Sequence, residues 1–388
     1  MTVPTHDIIL RFVDDLVGRV LSGIGEEHVV SAFVGGSVAG GEALHCDAGG
    51  RLEVYSDVDL YVVVGDTIEL EEARYRGRAG AAEIPLEGPD YRFHRRPDVG
   101  VYTFDDLAAQ PARPGTVGLD RNHLIVYGDD QMPARAADRI GTRISASESL
   151  YLLENRLSEL AAFQTEIGGN ATVSGYYAFV VCKTVLDAVS ASLIVRGRYD
   201  TRRSERVRRV TSLATEDGVE GAWPAEAIDL ARRCGERLDS LPSPDWTRAM
   251  DLEAEADAAV SLALDRWKKI APSCVGGDPD DWADLVLRRC RTGDYLGNFR
   301  QFRAMNARCG FKRRGAVAAG IHMSRYSPID ALRVSAMVDF LSKRSPTQPD
   351  VRRLTSSFGP YLDRLTRECG FQEGSLDRRA KDMYRVVQ

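Results

Sequence analysis

Two aspartates stand two positions apart in the segment Ser56-Asp57-Val58-Asp59-Leu60, which continues as an apolar run to Val64. Side chains at positions i and i+2 of a β-strand project from the same face, so these two carboxylates can share one cation. The apolar neighbours predict that the strand is central in its sheet and buried on the opposite face. Because unpaired carboxylates are costly at a buried strand, the spacing predicts a site for a cation such as Mg²⁺, which prefers oxygen ligands.

The segment Gly35-Gly36-Ser37 precedes these aspartates and follows a short apolar run. Glycines allow the backbone to approach a phosphate closely, and backbone N–H groups at a helix start bind anions. The Ser37 hydroxyl can donate one further hydrogen bond. The two motifs together predict that this region binds a nucleoside triphosphate through Mg²⁺. The alternative is that the aspartates are solvated residues at a strand end and that the glycines only turn the chain.

In this order the two motifs resemble the signature of the polymerase-β-type nucleotidyltransferase superfamily. The layout is most similar to aminoglycoside and other antibiotic nucleotidyltransferases, which have a helical bundle after the catalytic domain. The resemblance implies that Gly35, Gly36 and Ser37 hold the triphosphate of an NTP co-substrate. It also implies that Asp57 and Asp59 hold two Mg²⁺ ions, with Mn²⁺ as the alternative metal.

The spacing of the two motifs departs from the family pattern. Ser37 and Asp57 are 20 residues apart, which is longer than in the proteins that the chain resembles. The extra residues, about Leu44 to Glu53, include Cys46-Asp47-Ala48-Gly49-Gly50, a composition typical of turns. We therefore predict an inserted loop or hairpin next to the site.

The resemblance further implies a third carboxylate, on a strand beside the paired aspartates. Asp98 is our candidate, because it opens the predicted strand 97–104 and a helix start follows. It would either ligate a metal or accept the proton of the acceptor directly. The alternative is an ordinary residue at a strand entry.

Lys183 is the candidate for a phosphate contact from the helical part of the chain, as the family commonly places a lysine there. It is the only lysine before residue 268 and stands among apolar neighbours of a predicted helix. A lysine in such a position needs an anionic partner. The triphosphate is one such partner, and Asp187, one helical turn later, is the alternative.

The chain has 388 residues, of which 44% are hydrophobic and 28% are charged, as in an ordinary globular protein. We predict an α+β fold with a small mixed-sheet nucleotidyltransferase domain and flanking helices over residues 1–140. An all-α region of one or two helical bundles follows. Its predicted parts are a bundle over 141–271 that completes the nucleotide and acceptor cleft, and an additional helical domain over 272–388, preceded by a boundary at Pro272 to Asp281.

Hydrophobic periodicity and breaker residues indicate the individual elements. In the first domain they predict a helix over 6–22, strands over 28–34, 91–94, 97–104 and 124–129, and a linker from Pro133. Later helices are predicted from Ser145, over 175–198, from Pro224, from Pro244, and over 281–291, 295–309, 328–343 and 349–369.

The sequence also bears on the cellular compartment. No run approaches the roughly 18 apolar residues of a membrane span, and acidic residues interrupt the N-terminal segment where a signal peptide needs an apolar core. We therefore expect a cytoplasmic location. The seven cysteines are scattered and contain no Cys-x-x-Cys pair, so we expect reduced thiols without a zinc site or a disulfide framework.

The acceptor is the least determined part of the prediction. A net charge of −6 argues against a surface that coats nucleic acid in general, but residues 286–314 are strongly basic. This segment is either a solvated or domain-pairing face or a binding site for phosphates of RNA, through Arg288, Arg289, Arg300, Arg303, Lys312, Arg313 and Arg314.

Three functions follow from these observations. The leading hypothesis is metal-dependent transfer of a nucleoside monophosphate to a hydroxyl or amine of a small molecule, antibiotic-like or a secondary metabolite, with release of pyrophosphate. One alternative is nucleotide addition to RNA, tRNA or a protein with the help of the basic segment. The other is a catalytically silent nucleotide-binding protein.

Overall fold

The computed structural model describes residues 5–164, 171–214, 222–241, 250–291 and 327–368. Clustering of spatial neighbours divides the chain into two compact units. The first comprises Met1–Ser145 with Asp200–Arg206 and Gly235–Ala249, and the second comprises Ala146–Tyr199, Val207–Cys234 and Met250–Gln388. The first unit mixes strands and helices, whereas the described elements after residue 145 are all helical, so the predicted α+β class is confirmed.

The main chain of the first unit alternates short strands with helices. Its elements are α1 (Thr5–Ile24), β1 (Val29–Gly35), α2 (Gly36–Ala39), β2 (His45–Asp47), β3 (Leu52–Val54), β4 (Asp59–Val64), α3 (Leu70–Ala82), β5 (Tyr91–Phe93), β6 (Asp98–Tyr102), α4 (Phe104–Ala108), β7 (Leu124–Gly128) and α5 (Met132–Ile140). A single 3₁₀ turn, Glu26–His28, joins α1 to β1.

These strands form two small sheets. The larger has the order β6-β4-β1-β7, in which β1 is antiparallel to both neighbours and β4 is parallel to β6. The smaller has the order β2-β3-β5, in which β2 and β3 form an antiparallel hairpin and β3 is parallel to β5. The inserted residues after Leu44 are therefore a hairpin, which is one of the two forms predicted for them. The hairpin belongs to the smaller sheet.

Helices cover both faces of the larger sheet. On one face, Val13, Leu16 and Val20 of α1 are fully buried, at the helical spacing predicted for residues 6–22, and pack in the same core as Val34 and Val62. Full burial of one such side chain typically contributes about 1.5–3 kcal/mol. The other face holds a smaller core of residues from β1, β4, α4 and α5. This second face also carries the residues of the candidate site.

The described elements of the second unit, and of the later segments that return to the first unit, are helices. They are α6 (Ala146–Gln164), α7 (Ala171–Val195), α8 (Arg203–Arg208), α9 (Ala225–Ser240), α10 (Leu252–Val275), α11 (Trp282–Cys290), α12 (Pro328–Arg344) and α13 (Pro349–Glu368). Glu154 of α6 lies at the centre of the second unit. Its buried carboxylate accepts hydrogen bonds from Trp267 of α10 at 3.0 Å and from Arg289 of α11 at 2.9 Å, and it joins the three helices.

Several predicted boundaries were wrong because proline is tolerated in the first turn of a helix or can continue one. Pro133 lies in the first turn of α5, where a linker was predicted. Pro272 lies inside α10, which continues to Val275, so the predicted boundary there is partly helix. The helix predicted from Pro244 overlaps α10, which is described from Leu252 with the Asp251 side chain as its N-cap, and the start predicted at Pro244 is not tested.

Some predictions lie outside the described residues. Pro244 and the helix predicted over 295–309 are among them. The predicted division into three domains stays a prediction. The structure contains no disulfide between the five described cysteines, which are Cys46, Cys182, Cys234, Cys274 and Cys290, and the expectation of reduced thiols stays a prediction.

One helical stretch in the described ranges, Gly175–Val195, is long and apolar enough to cross a membrane by length and composition. The expectation that no such stretch exists was wrong for these residues. However, 83% of the apolar window is buried inside the protein, as in the core helix of a globular unit. The finding is compatible with a soluble protein.

Candidate active site

The paired aspartates lie where the chain enters the central strand β4. This strand begins at Asp59. Asp57 was predicted to lie inside the strand, but it lies just before the first strand residue. The alternation nevertheless extends back to Asp57, because Val58 and Leu60 are buried while both aspartates keep exposed surface. The two carboxylates therefore leave the chain on the same side, as the spacing predicted.

Asp98 lies beside Asp59. It opens β6, and the pairing of β6 with β4 places Asp98 directly level with Asp59. Register partners on neighbouring strands share a face and stand about 4.8 Å apart along the hydrogen-bonding direction. The third carboxylate thus lies on the strand adjacent to the paired aspartates, where it was predicted.

The negative charges of Asp57, Asp59 and Asp98 affect the pKa values of ionisable groups around them. Partial desolvation, followed by the charge of Asp57, raises the pKa of the Asp98 carboxyl, although Arg95 and Arg78 oppose the shift. Burial, followed by the charges of Asp59 and other nearby groups, raises the pKa of the Tyr61 hydroxyl. The carboxylates therefore act together as one negatively charged region on this face of the sheet.

The Gly-Gly-Ser turn lies against the same carboxylates. Gly35 pairs with Asp59 across β1 and β4, and a Cβ on Gly35 would lie only 2.9 Å from the Tyr61 ring. Gly36 has φ +66°, in the left-handed region, and a Cβ there would clash with the Asp59 carboxylate. Both glycines are thus required by close approach within the protein, a reason that sequence reasoning did not find.

Ser37 is the second residue of α2, which has a single turn of four residues. The first N–H groups of any helix lack acceptors within the helix and remain available to a ligand. The Ser37 carbonyl accepts a hydrogen bond from the Glu42 N–H at 2.8 Å. This bond closes the turn after the glycines and holds Ser37 near Asp59.

Residues 200–206 return to the first unit and fix the loop that follows α2. The Glu42 carboxylate accepts hydrogen bonds from the Arg203 backbone N–H at 2.9 and 3.1 Å. The Asn122 side-chain amide donates to the Thr201 hydroxyl at 3.0 Å. Sequence reasoning missed this support, since no local pattern links positions so far apart in the chain.

Arg95 is the most important residue that sequence reasoning missed. One of its guanidinium nitrogens, Nη1, lies 3.1 Å from Oδ2 of Asp57, and the two side chains are 10% and 27% exposed. Arg95 belongs to the connection between β5 and β6, three residues ahead of Asp98. A basic residue just before the third carboxylate was visible in the sequence, but no spacing rule identified its partner.

The residues fit a divalent ion in their chemistry. Asp57, Asp59 and Asp98 offer hard oxygen donors, and their mutual repulsion favours a shared cation. The missing Cβ of Gly36 leaves room beside the Asp59 carboxylate. In the part of the chain that the structure describes, however, no group of three or more His, Cys, Asp or Glu side chains is gathered as a metal site. The predicted ligand set therefore stays a prediction.

Lys183 lies on α7, in the second unit. Its ammonium is 5.5 Å from the centre of the Phe179 ring. The Asp187 carboxylate, the alternative partner from the sequence, lies 2.9 Å from Nε of Arg156. The phosphate contact of Lys183 stays a prediction.

The basic segment is only partly described. Arg288 pairs with Asp284 of its own helix at 2.8 Å, in a solvent-exposed position. Arg289 is 17% exposed and pairs with Glu154 and Asp330, which makes it a structural residue of the helical core. The remaining basic residues, Arg300, Arg303, Lys312, Arg313 and Arg314, lie outside the described residues. Binding of RNA by this segment stays a prediction.

Comparison with known proteins adds no assignment to this geometry. No protein-family model matches the chain, and no curated protein matches it. The resemblance to polymerase-β-type nucleotidyltransferases therefore depends on the two sequence motifs and their order, and it stays a prediction.

Proposed function

We propose that the chain transfers a nucleoside monophosphate from an NTP to a hydroxyl or amine of a small-molecule acceptor and releases pyrophosphate. One observation carries the proposal. Gly36 of the Gly-Gly-Ser turn approaches Asp59 so closely that no side chain fits, and Asp98 stands level with Asp59 on the next strand. A phosphate-binding turn and a carboxylate group thereby meet on one face of the sheet.

The residues have distinct roles in this reaction. The backbone N–H groups at Gly36 and Ser37, with the Ser37 hydroxyl, bind phosphate oxygens and orient the triphosphate. Asp57 and Asp59 would hold Mg²⁺ or Mn²⁺, with Asp98 as a further ligand if it does not act as the base, and the ion would supply positive charge that offsets the charge on the phosphates. The acceptor oxygen or nitrogen attacks the α-phosphorus while the bond from that phosphorus to pyrophosphate breaks.

As the alternative to ligating the metal, Asp98 accepts the proton that the acceptor loses. A general base works best when its pKa lies near the operating pH, and the pKa of Asp98 is raised by desolvation and by the charge of Asp57. The products are a nucleoside monophosphate ester or amide and pyrophosphate, so atoms and charge balance without a further reactant.

The test is pyrophosphate release. The purified chain is incubated with each labelled NTP, Mg²⁺ and a panel of hydroxylated and amino metabolites and tRNA. The control is the double variant Asp57→Ala/Asp59→Ala. We expect release and a labelled small-molecule product with the unaltered chain only; release no higher than that of the control with every acceptor would refute the proposal. Release with tRNA alone would favour the RNA alternative, and salt-sensitive gel-shift binding would support it.

A catalytically silent nucleotide-binding protein is the second candidate, and one observation favours it. Asp57 is already paired with Arg95, so one proposed metal ligand has a cation of the protein itself as its partner. Tight NTP binding without pyrophosphate release for any acceptor would support this function over transfer.

A further inference from the structure

The ion pair between Arg95 and Asp57 stands at the centre of the candidate site. A guanidinium nitrogen 3.1 Å from a carboxylate oxygen occupies the space that a cation would take on that side of Asp57. The pair is sheltered, with the Arg95 side chain only 10% exposed. Screening by solvent is therefore weaker than for an ion pair on an open surface.

The inserted hairpin helps to position Arg95 beside Asp57. Val54 pairs with Phe93, and Asp59 pairs with Asp98 in the same parallel register. The two connecting segments, 55–58 and 94–97, consequently run side by side from the smaller sheet to the larger one. Backbone hydrogen bonds from His94 to Val54 at 3.0 Å and from Asp98 to Val58 at 2.9 Å fix both ends.

His94 strengthens this arrangement from the side of the hairpin. Its Nε2 lies 2.6 Å from a carboxylate oxygen of Glu53 on β3, and the two side chains are 9% and 6% exposed. His94, which precedes Arg95, is thus held against the inserted hairpin. The long side chain of Arg95 still has several rotatable bonds, so its guanidinium can change partner while its backbone stays fixed.

A guanidinium has two suitable partners in a nucleotide site. It pairs with carboxylates, and it binds phosphate oxygens in the same bidentate manner. A divalent ion that binds Asp57 displaces the guanidinium by charge repulsion, and the nucleotide brings new negative charge at the same moment. The exchange leaves Arg95 and Asp57 each beside an opposite charge before and after binding.

We propose that Arg95 is an exchangeable counter-ion: it neutralises Asp57 in the free protein and moves to a nucleotide phosphate when a metal–nucleotide complex binds. This inference rests on the proposed function. It means that metal alone competes with Arg95 for Asp57, whereas metal and nucleotide together are favoured.

The first test compares Arg95→Gln with the unaltered chain. The free Mn²⁺ signal in electron paramagnetic resonance measures Mn²⁺ binding without nucleotide, and calorimetry measures binding of α,β-methylene-ATP with Mn²⁺. A neighbouring opposite charge shifts the ion affinity of a carboxylate by about tenfold or more, so Arg95→Gln should bind Mn²⁺ alone about tenfold more tightly. Loss of a charged hydrogen bond should weaken nucleotide binding by about tenfold.

The control is Arg96→Gln, which removes the same charge one residue later. Arg96 is exposed and donates to the Ala82 carbonyl at 3.3 Å, away from Asp57. Both affinities should stay within about twofold of the unaltered chain. A merely structural Arg95 would weaken Mn²⁺ and nucleotide binding together in Arg95→Gln, and either this result or an unchanged Mn²⁺ affinity would overturn the inference.

A second pair of variants keeps the test valid if Arg95→Gln does not fold. In metal-free buffer with EDTA, Asp57→Asn breaks the ion pair between Arg95 and Asp57 before α,β-methylene-ATP binds, whereas Asp59→Asn removes an equal charge and leaves that pair in place. We expect Asp57→Asn to bind the nucleotide about tenfold more tightly than Asp59→Asn; equal affinities would overturn the inference. Failure of the proposed transfer looks different, since it appears as a lack of pyrophosphate release, whereas the affinities compared here are measured with a nucleotide that is not turned over.

Discussion

The close approach of Gly36 to Asp59 can be tested by adding a single methyl group. Gly36 has φ +66°, and the new Cβ of Gly36→Ala would clash with the Asp59 carboxylate. Gly41 provides a matched control, because its φ is +69° and a Cβ there meets no atom within 4 Å. The two variants therefore share the backbone strain and differ only in the clash.

The expected magnitudes follow from these two terms. A non-glycine residue in the left-handed region costs roughly 1–2 kcal/mol, which both alanine variants carry. Overpacking in a site that cannot move aside typically adds about 1–3 kcal/mol, and only Gly36→Ala carries this second cost. We therefore expect Gly36→Ala to destabilise the first unit by about 2–5 kcal/mol and Gly41→Ala by about 1–2 kcal/mol.

Hydrogen exchange followed by mass spectrometry is the appropriate assay, because peptides covering β1 to β4 report on the first unit alone. Each 1.4 kcal/mol lowers the protection factor of the slowest amides in those peptides by about tenfold. Binding of α,β-methylene-ATP with Mn²⁺ is measured on the same samples and should weaken in Gly36→Ala only. Equal protection and equal binding in the two variants would refute the close contact of Gly36 with Asp59.

Three further predictions concern individual carboxylates. Asp98→Asn should lower turnover by about 100- to 10,000-fold with little effect on stability, and unchanged turnover would rule out Asp98 as the general base. Burial raises the pKa of Glu53, but the hydrogen bond and charge of His94 outweigh it and hold the pKa below its ordinary 4.5. The ionised form therefore stabilises the fold above pH 4.5, and this contribution is lost as the pH falls through the lowered pKa. In a plot of the free energy of unfolding against pH, Glu53→Gln should therefore show a shallower decrease at acidic pH. Glu154→Gln should cost about 3–5 kcal/mol in urea unfolding, because it leaves Arg289 without its main buried partner, and a loss below about 1 kcal/mol would contradict this.

The strand pattern was the most reliable guide to the site. The strand that starts at Asp98 followed from a short apolar run with a carboxylate at its start, and β6 begins at that residue, whereas its position beside the paired aspartates was implied by the family resemblance. The hairpin between Leu44 and Glu53 followed from its turn residues, and β2 and β3 form it. The strand and the hairpin both follow from local sequence patterns, which can be recognised without knowledge of contacts between distant segments.

Features that depend on packing between distant segments could not be predicted in this way. The need for glycine at Gly36 arises from the Asp59 side chain on another strand. The linker predicted from Pro133 is a helix, because its apolar face completes the core on one side of the sheet. This packing against distant residues cannot be recognised from the local sequence. The partner of Arg95 depends on the register between two sheets.

The departure from the family spacing and the ion pair at Asp57 have the same origin. The longer interval between Ser37 and Asp57 forms the β2–β3 hairpin, and β3 then pairs with β5. That pairing places the β5–β6 connection alongside the segment that carries Asp57, and Glu53 of the hairpin holds His94 at its start. The inserted hairpin thereby holds one end of the connection that carries Arg95, and the pairing of β4 with β6 holds the other. The Mn²⁺ affinity of Arg95→Gln measures how strongly the cation held in this way competes with metal.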